Sequence, residues 1–169
     1  TPVTTRVDCL RAEADIAHMH RDRAGAIASL KEGRALLERA DDTSGVRYNG
    51  LLTDLGGIYY NTARYKEALE LNILTSDALD RNGRGGTLAK ATLMINRSSL
   101  LYRLGEIENA RKVGEDAIQR IRSLRGAQPI PIAYGISFGT TLQRLGRWDQ
   151  ALAVLEEASS QAKLPDSEF

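Results

Sequence analysis

The stretch Leu55–Leu71, which reads LGGIYYNTARYKEALEL, contains the pattern that decides the fold. Leu52, Leu55 and Tyr59 are three and four residues apart, a spacing that places apolar side chains along one face of a helix. The pattern breaks at Ala63, where the helix must end and the chain reverse, and a second helical pattern follows. The stretch therefore predicts a helical hairpin.

The same pattern recurs along the chain. Further copies lie at Ser98–Val113 and Gly139–Leu155, and a degenerate copy lies at Ala14–Leu30. One small residue of each second helix aligns the copies at steps of 42, 42 and 41 residues: Ala26, Ala68, Ala110 and Ala151. A period of this length is typical of repeat proteins, in which each unit is one supersecondary element.

The repeats predict eight helices, at about 4–20, 23–40, 46–62, 65–81, 86–104, 107–123, 130–145 and 147–163. Since one hairpin cannot bury both of its apolar faces, stacked neighbours must supply the core. We therefore expect an all-α fold, an α-α superhelix (right-handed solenoid) of four helical hairpins with the first helices lining the inside. We expect residues 1–169 to form a single array, with repeats at about 4–42, 46–84, 86–126 and 130–163.

Composition excludes several classes of protein. The chain has 169 residues, 42% of them apolar and only 5% aromatic, with a formal charge of +1. Its basic residues alternate with acidic ones at helical spacing, which is the pattern of exposed helices and argues against nucleic-acid binding. No apolar run is long enough to span a bilayer, so we expect no membrane partner. A single cysteine suits a reducing, cytoplasmic environment.

The residues needed for metal binding or catalysis do not converge in the sequence. His18 and His20 are two residues apart, so on a helix they point in different directions, and Cys9 is better interpreted as a packed thiol. The glycine-rich segment Asn82–Gly86 lies between helices and lacks the phosphate-loop pattern. We expect no catalytic residue, no metal ligand and no cofactor.

Leu55-Gly56, Tyr59, Tyr65 and Ala68 resemble the tetratricopeptide repeat in order and spacing. That repeat usually has about 34 residues, so a period near 42 is similar to its long-helix subclass. The subclass includes kinesin light chains and bacterial regulators, among them the sensor arms of LuxR-type transcription activators. The resemblance implies a scaffold that binds proteins, peptides or small effectors in its groove.

The face opposite the small residue of each first helix is the predicted groove. A small residue at Ala14, Gly56, Ser98 and Gly139 allows a neighbouring helix to approach, and the opposite side then faces inward. This face is polar, apart from two tyrosines. The candidate ligand-binding residues are Asp15, Asp54, Tyr60, Asn61, Asn96, Ser99, Tyr102, Arg103, Thr140, Gln143 and Arg144.

Charge and chemistry vary along these candidates. Asp15 and Asp54 precede Arg103 and Arg144, which predicts an acidic first half and a basic second half that is suited to a ligand carboxylate. The resemblance implies that Asn96 hydrogen-bonds the backbone of an extended peptide. The residues present argue against the two-carboxylate clamp of chaperone-tail-binding relatives, which needs lysine and asparagine where this chain has Asp15, Asp54 and Thr92. The alternative is that the tyrosines pack on the next hairpin and the arginines are solvated.

Three functions fit the sequence. The first is an adaptor for proteins or peptides. The second is the sensor arm of a bacterial signalling or transcription regulator, and the third is a subunit of an enzyme or RNA complex. It begins without Met and ends at Ser167–Phe169 without a polar capping helix, which indicates a fragment of a longer protein. Trp148, Leu152 and Leu155 then form an uncapped C-terminal edge through which self-association is expected.

Overall fold

The computed structural model describes residues 2–126, 128 and 130–160, and all regular structure in this part of the chain is helical. The helices are α1 (Val3–Met19), α2 (Arg23–Arg39), α3 (Val46–Asn61), α4 (Tyr65–Arg81), α5 (Leu88–Arg103), α6 (Ile107–Arg125), α7 (Ile132–Arg144) and α8 (Trp148–Ser159). The all-α prediction is confirmed, and the predicted helices match in order. The predicted end of α8 at residue 163, two residues of the loop 125–131 and the chain end at Ser167–Phe169 lie outside the described residues.

Each hairpin turns through one residue in the left-handed region of backbone space. These residues are Arg21, Ala63, Gly105 and Gly146, with φ of 62°, 59°, 83° and 70°. The next residue in each case donates its N–H back across the turn, as Arg64 does to the Tyr59 carbonyl at 2.8 Å. This is the Schellman ending of a helix, which satisfies carbonyls that would otherwise lack a partner. The repeat therefore appears in the backbone itself, including at Arg21, where no glycine marks the turn.

The aligned small residues set how each hairpin closes. Ala26, Ala68 and Ala110 are buried, and the Ser98 hydroxyl donates a hydrogen bond of 2.6 Å to the Ala110 carbonyl. At the equivalent position in the last hairpin, a Cβ added to Gly139 would meet Leu155 at 2.8 Å. The small residue of the first helix therefore faces the second helix of its own hairpin, and the opposite face of the first helix is turned away from this contact.

The first compact unit, Thr1–Gly85, contains the hairpins α1–α2 and α3–α4. Helix α3 packs on the preceding hairpin, where a Cβ at Gly33 of α2 would lie 3.3 Å from the Leu51 side chain. Leu10, Leu37 and Leu52 are completely or almost completely buried around this junction. Aliphatic side chains at helical spacing therefore form the core of the unit.

The second compact unit, Gly86–Phe169, contains the hairpins α5–α6 and α7–α8. Its junction depends on one aromatic ring, because Phe138 of α7 lies against Gly114 of α6 so closely that a Cβ there would be 2.0 Å from the ring. Ile95, Ile121 and Leu142 are buried in the same cluster. Packing within each unit leaves one side of α1, α3, α5 and α7 for the predicted groove residues.

Candidate functional site

None of the predicted groove residues is buried, so their side chains are accessible to a ligand. They divide between the two units, and each unit has its own set. The first-unit face comprises the candidates on α1 and α3, namely Asp15, Asp54, Tyr60 and Asn61. The second-unit face comprises those on α5 and α7, namely Asn96, Ser99, Tyr102, Arg103, Thr140, Gln143 and Arg144.

An ion pair crosses the first-unit face from α1 to α3. The Arg11 Nε donates a hydrogen bond of 2.7 Å to the Asp54 carboxylate, and both side chains are partly accessible. This bond raises the pKa of the Arg11 guanidinium and keeps it charged. The acidic character predicted for this half is therefore largely neutralised at Asp54, and Asp15 lies one turn from the same arginine.

A second ion pair joins α1 and α3 toward their N-terminal ends. Arg47 donates from Nε and Nη2 to the two carboxylate oxygens of Asp8, at 2.8 and 3.0 Å. The hydrogen bond from Arg47 holds the pKa of Asp8 below its ordinary value. Two arginine–aspartate pairs therefore connect α1 to α3, and they occupy charged groups that a ligand would otherwise meet.

The aromatic residue of the first-unit face packs within its own hairpin. The ring of Tyr60 lies edge-on to the ring of Tyr65, with 5.7 Å between centroids and 67° between planes. Tyr60 thus contacts the second helix of its own hairpin through Tyr65. The Tyr60 side chain is half-buried.

The second-unit face joins α5 and α7 without an ion pair between them. The Arg144 guanidinium lies over the Tyr102 ring, 5.7 Å from its centroid, within the range of a cation–π contact. The hydroxyl oxygens of Thr92 and Tyr134 are 2.8 Å apart, in a hydrogen bond between the same two helices. Tyr102 thus packs on the next hairpin as the alternative stated, but it also holds a predicted ligand-binding arginine in place.

The two helices of the second-unit face carry positive charge only. Helices α5 and α7 contain Lys90, Arg97, Arg103 and Arg144 and no aspartate or glutamate. Asn96, Arg103 and Gln143 are exposed, while Ser99 and Thr140 are half-buried. This face therefore combines cations with amide and hydroxyl groups that donate and accept hydrogen bonds.

The structure also contains a cleft that sequence reasoning missed. It has a volume of about 430 Å³ and lies between α6, α7 and α8, with an apolar floor that includes Phe138, Leu142 and Val154. Gln119 and Gln150 line its polar rim, and Arg122 is paired there with Glu157. Its residues come from three helices and have no common motif, so only the assembled unit shows it.

The described residues contain neither a metal-binding cluster nor a membrane-spanning helix. Within 2–126, 128 and 130–160, no group of three His, Cys, Asp or Glu side chains is placed to hold a metal ion. Over the same part of the chain, no helix combines the length and the apolar character that crossing a bilayer requires.

No protein-family model matches the sequence, and neither does any curated protein. Among solved structures, BtubC (BKLC) from P. vanneervenii is 13% identical with a TM-score of 0.80, over 96% of this chain and 67% of that one. A kinesin light chain from Podosopora anserina with nearly identical TPR-like repeats is 17% identical, with a TM-score of 0.75 over 97% and 79% of the two chains. MamA is 18% identical, with a TM-score of 0.63 over 94% and 81%. The resemblance to tetratricopeptide repeats is thereby confirmed at the level of the fold.

Proposed function

We propose that this chain, which has the fold of TPR-like repeat proteins, is a non-catalytic scaffold that binds a protein or peptide ligand on its first helices. The proposal takes the second-unit face as the main binding surface and an acidic, extended peptide segment as its ligand. The cationic character of α5 and α7 is the observation that carries the proposal, because an acidic segment meets no opposing carboxylate on these helices.

The residues of the second-unit face have complementary roles in this proposal. Arg103 and Arg144 bind ligand carboxylates, and stacking on Tyr102 limits the conformations of Arg144 before the ligand arrives. The Asn96 amide pairs with the peptide backbone, since an amide offers both a donor and an acceptor. Tyr102 adds rigid apolar area close to these polar groups, a common composition of binding hot spots.

The first-unit face contributes less binding energy in this proposal. Arg11, the arginine of α1 beside this face, is already paired with Asp54 at 2.7 Å. A ligand must break that pair or bind beside it, and either costs part of the free energy gained. Tyr60 and Asn61 then extend the surface that contacts the peptide without setting its charge preference.

The test measures the binding of fluorescent eight-residue peptides that contain aspartate, against matched peptides in which asparagine replaces aspartate. We expect the acidic peptides to bind more tightly, with an affinity that falls as salt is added. The double variant Arg103→Glu/Arg144→Glu should weaken their binding by about 100-fold, since it replaces attraction by repulsion at two positions.

The control variant Lys112→Glu/Arg39→Glu makes the same change in net charge at exposed positions on α6 and α2. It should retain most of the affinity. Equal loss in the two variants would show a long-range effect of net charge rather than a site. Equal affinity for the acidic and the amide peptides would overturn the proposal.

We also propose that the C-terminal edge is a contact surface for self-association. Trp148, Leu152 and Leu155 are exposed, and the surface extends to Ile132 and Ile136 of α7. Exposed apolar patches that span several large side chains mark interaction sites. Cys9 is exposed, so its interpretation as a packed thiol is wrong, and an exposed thiol suits a reducing compartment such as the cytoplasm.

A further inference from the structure

The C-terminal edge consists of two apolar rows that lie side by side. Ile132 and Ile136 are four residues apart on α7, and Trp148, Leu152 and Leu155 have helical spacing on α8. The two helices are in close contact, because a Cβ added to Gly135 would lie 2.3 Å from the Ala158 methyl. The rows therefore form one surface, exposed to solvent within the second unit.

A second exposed apolar row lies on α1, on the side away from its core residues. This α1 stripe consists of Cys9, Ala12, Ile16 and Met19, at alternating spacings of three and four residues. Ile16 is 52% exposed and Met19 is 74% exposed. Such spacing is typical of a helix that packs on both sides, but only the core side is covered within the first unit.

The repeat register relates the C-terminal edge to a contact that exists inside the chain. Residues of the last hairpin correspond to residues of the first hairpin 125 positions earlier, as Gly146 corresponds to Arg21 at the turn. Ile132 and Leu155 thus correspond to Val7 and Leu30. Val7 and Leu30 are each 1% exposed in the first hairpin, on which α3 packs. Ile132 and Leu155 are 40% and 36% exposed.

The α1 stripe corresponds in the same way to the face of α3 that packs on the preceding hairpin. With a shift of 42 residues, Cys9 and Ile16 correspond to Leu51 and Ile58, both of which are buried. Leu51 contacts Gly33 of α2. The C-terminal edge thus corresponds to the first-hairpin side of the internal junction, and the α1 stripe corresponds to its α3 side. Both counterparts are exposed.

The two ion pairs of the internal junction have uncharged residues at the corresponding positions of the last hairpin and of α1. The ion pair Arg11–Asp54 corresponds to Ile136 on the last hairpin and Ala12 on α1. The ion pair between Asp8 and Arg47 corresponds in the same way to Ala133 and Thr5. A charge lost on one side alone would leave its partner unpaired in the junction, but here both partners of each pair change together.

We infer that the C-terminal edge binds the α1 stripe of a second copy of this chain, head to tail, in the geometry of the internal α1–α2/α3 junction. The inference rests on the self-association proposed above and names its partner surface. In this arrangement Ile136 packs on Ala12 of the next copy, and Leu155 loses contact with water as its counterpart Leu30 does in the internal junction. A head-to-tail contact is heterologous, so each copy keeps one free edge and can bind a further copy.

The test uses sedimentation velocity of the full chain over a range of concentrations, with one variant on each surface. Wild-type protein should form assemblies that grow with concentration. Leu152→Glu and Ile16→Glu should each weaken association by about 100-fold, because either places an unpaired carboxylate in an apolar contact. Both positions are exposed in the single chain, so neither variant should impair folding. Leu124→Glu, at an exposed leucine of α6 outside both surfaces, is the matched control.

Mixing the two variants separates this arrangement from a symmetric one. Ile16→Glu retains an intact C-terminal edge and Leu152→Glu retains an intact α1 stripe. Equal amounts should therefore form a 1:1 dimer that does not grow further, although each variant alone is a monomer. Only a head-to-tail contact predicts this rescue.

Two results would overturn the inference, and they differ from one another. If Leu152→Glu is a monomer while Ile16→Glu assembles like the wild type, the edge self-associates but its partner is not the α1 stripe. If the wild type stays a monomer at every concentration, the proposed self-association fails as well. Peptide binding by the second-unit face is measured separately and is unaffected by either result.

Discussion

Each unit contains two hairpins of the same repeat, but different interactions join the hairpins in the two units. In the first unit, two arginine–aspartate pairs connect α1 to α3, and the Tyr48 hydroxyl of α3 donates a hydrogen bond of 2.9 Å to Glu38 of α2. In the second unit, the Phe138 ring fits against Gly114, and a hydroxyl pair and a cation–π contact connect α5 to α7.

This difference shows that the repeat period specifies where hairpins meet but leaves open what holds them. Exposed ion pairs contribute little free energy each and are weakened by salt. A fully buried aromatic ring contributes several times more, and its contribution is insensitive to salt. In the first unit, Arg11 and Arg47 are engaged in these pairs with Asp54 and Asp8.

The largest expected effect comes from removing the aromatic ring of the second unit. Phe138 is 2% exposed, so Phe138→Ala should lower the free energy of unfolding by about 3–5 kcal/mol through lost burial and the cavity left behind. Hydrogen exchange should show the loss in α5–α8. Phe138→Leu, the control, should cost about 1.5 kcal/mol or less. An equal loss of protection in α1–α4 would contradict the division into separate junctions.

A matched pair of glycine substitutions gives the next largest effect. An added Cβ would lie 2.0 Å from the Phe138 ring at Gly114, but 3.3 Å from Leu51 at Gly33. Gly114→Ala should therefore destabilise the second unit by about 1–3 kcal/mol, because the ring cannot stay where it is.

Gly33→Ala should change stability by less than about 1 kcal/mol, because the better helix propensity of alanine offsets a small shift of Leu51. Chemical denaturation of the two variants side by side provides the measurement. If the two substitutions had equal effects, the second junction would be no tighter than the first.

The hairpins could be predicted from the sequence because their signals are local and recur. The buried alanines and the turns at Ala63, Gly105 and Gly146 occupy the same position in each copy, so every copy supports the others. Neither Arg21 nor Ala63 is a glycine, so the residue type does not mark the left-handed conformation at these two turns. The position of Arg21 in the repeat, 42 residues before Ala63, is the signal that identifies the first turn.

The groove residues could be assigned to faces but not to partners. Asp54 and Asp15 have similar chemistry in the sequence, yet only Asp54 lies within 2.7 Å of Arg11, which is 43 residues away. Such pairs depend on the crossing of two helices, and helical spacing within one helix does not give that crossing. The basic second half of the predicted charge gradient therefore stays a prediction, whereas the acidic first half is largely neutralised at Asp54.

Acid should act on the first junction, with the smallest effect of the three. Burial raises the pKa of Glu38, but hydrogen bonds from Arg34 and Tyr48 lower it by more, and the hydrogen bond from Arg47 lowers the pKa of Asp8. A carboxylate whose pKa is lowered by folding stabilises the folded state above its unfolded pKa of about 4. That stabilisation is lost as the pH falls through the folded value.

The variant Asp8→Asn/Glu38→Gln should therefore melt roughly a few degrees below the wild type at pH 7, and the difference should shrink as the pH falls below about 4. The comparison is made at each pH, so acid effects common to both proteins cancel. Hydrogen exchange should place the difference in α1–α3, because the Thr92–Tyr134 contact of the second unit joins two neutral hydroxyls. A difference that persists unchanged at pH 3 would mean that packing of these side chains, rather than their charge, joins the first two hairpins.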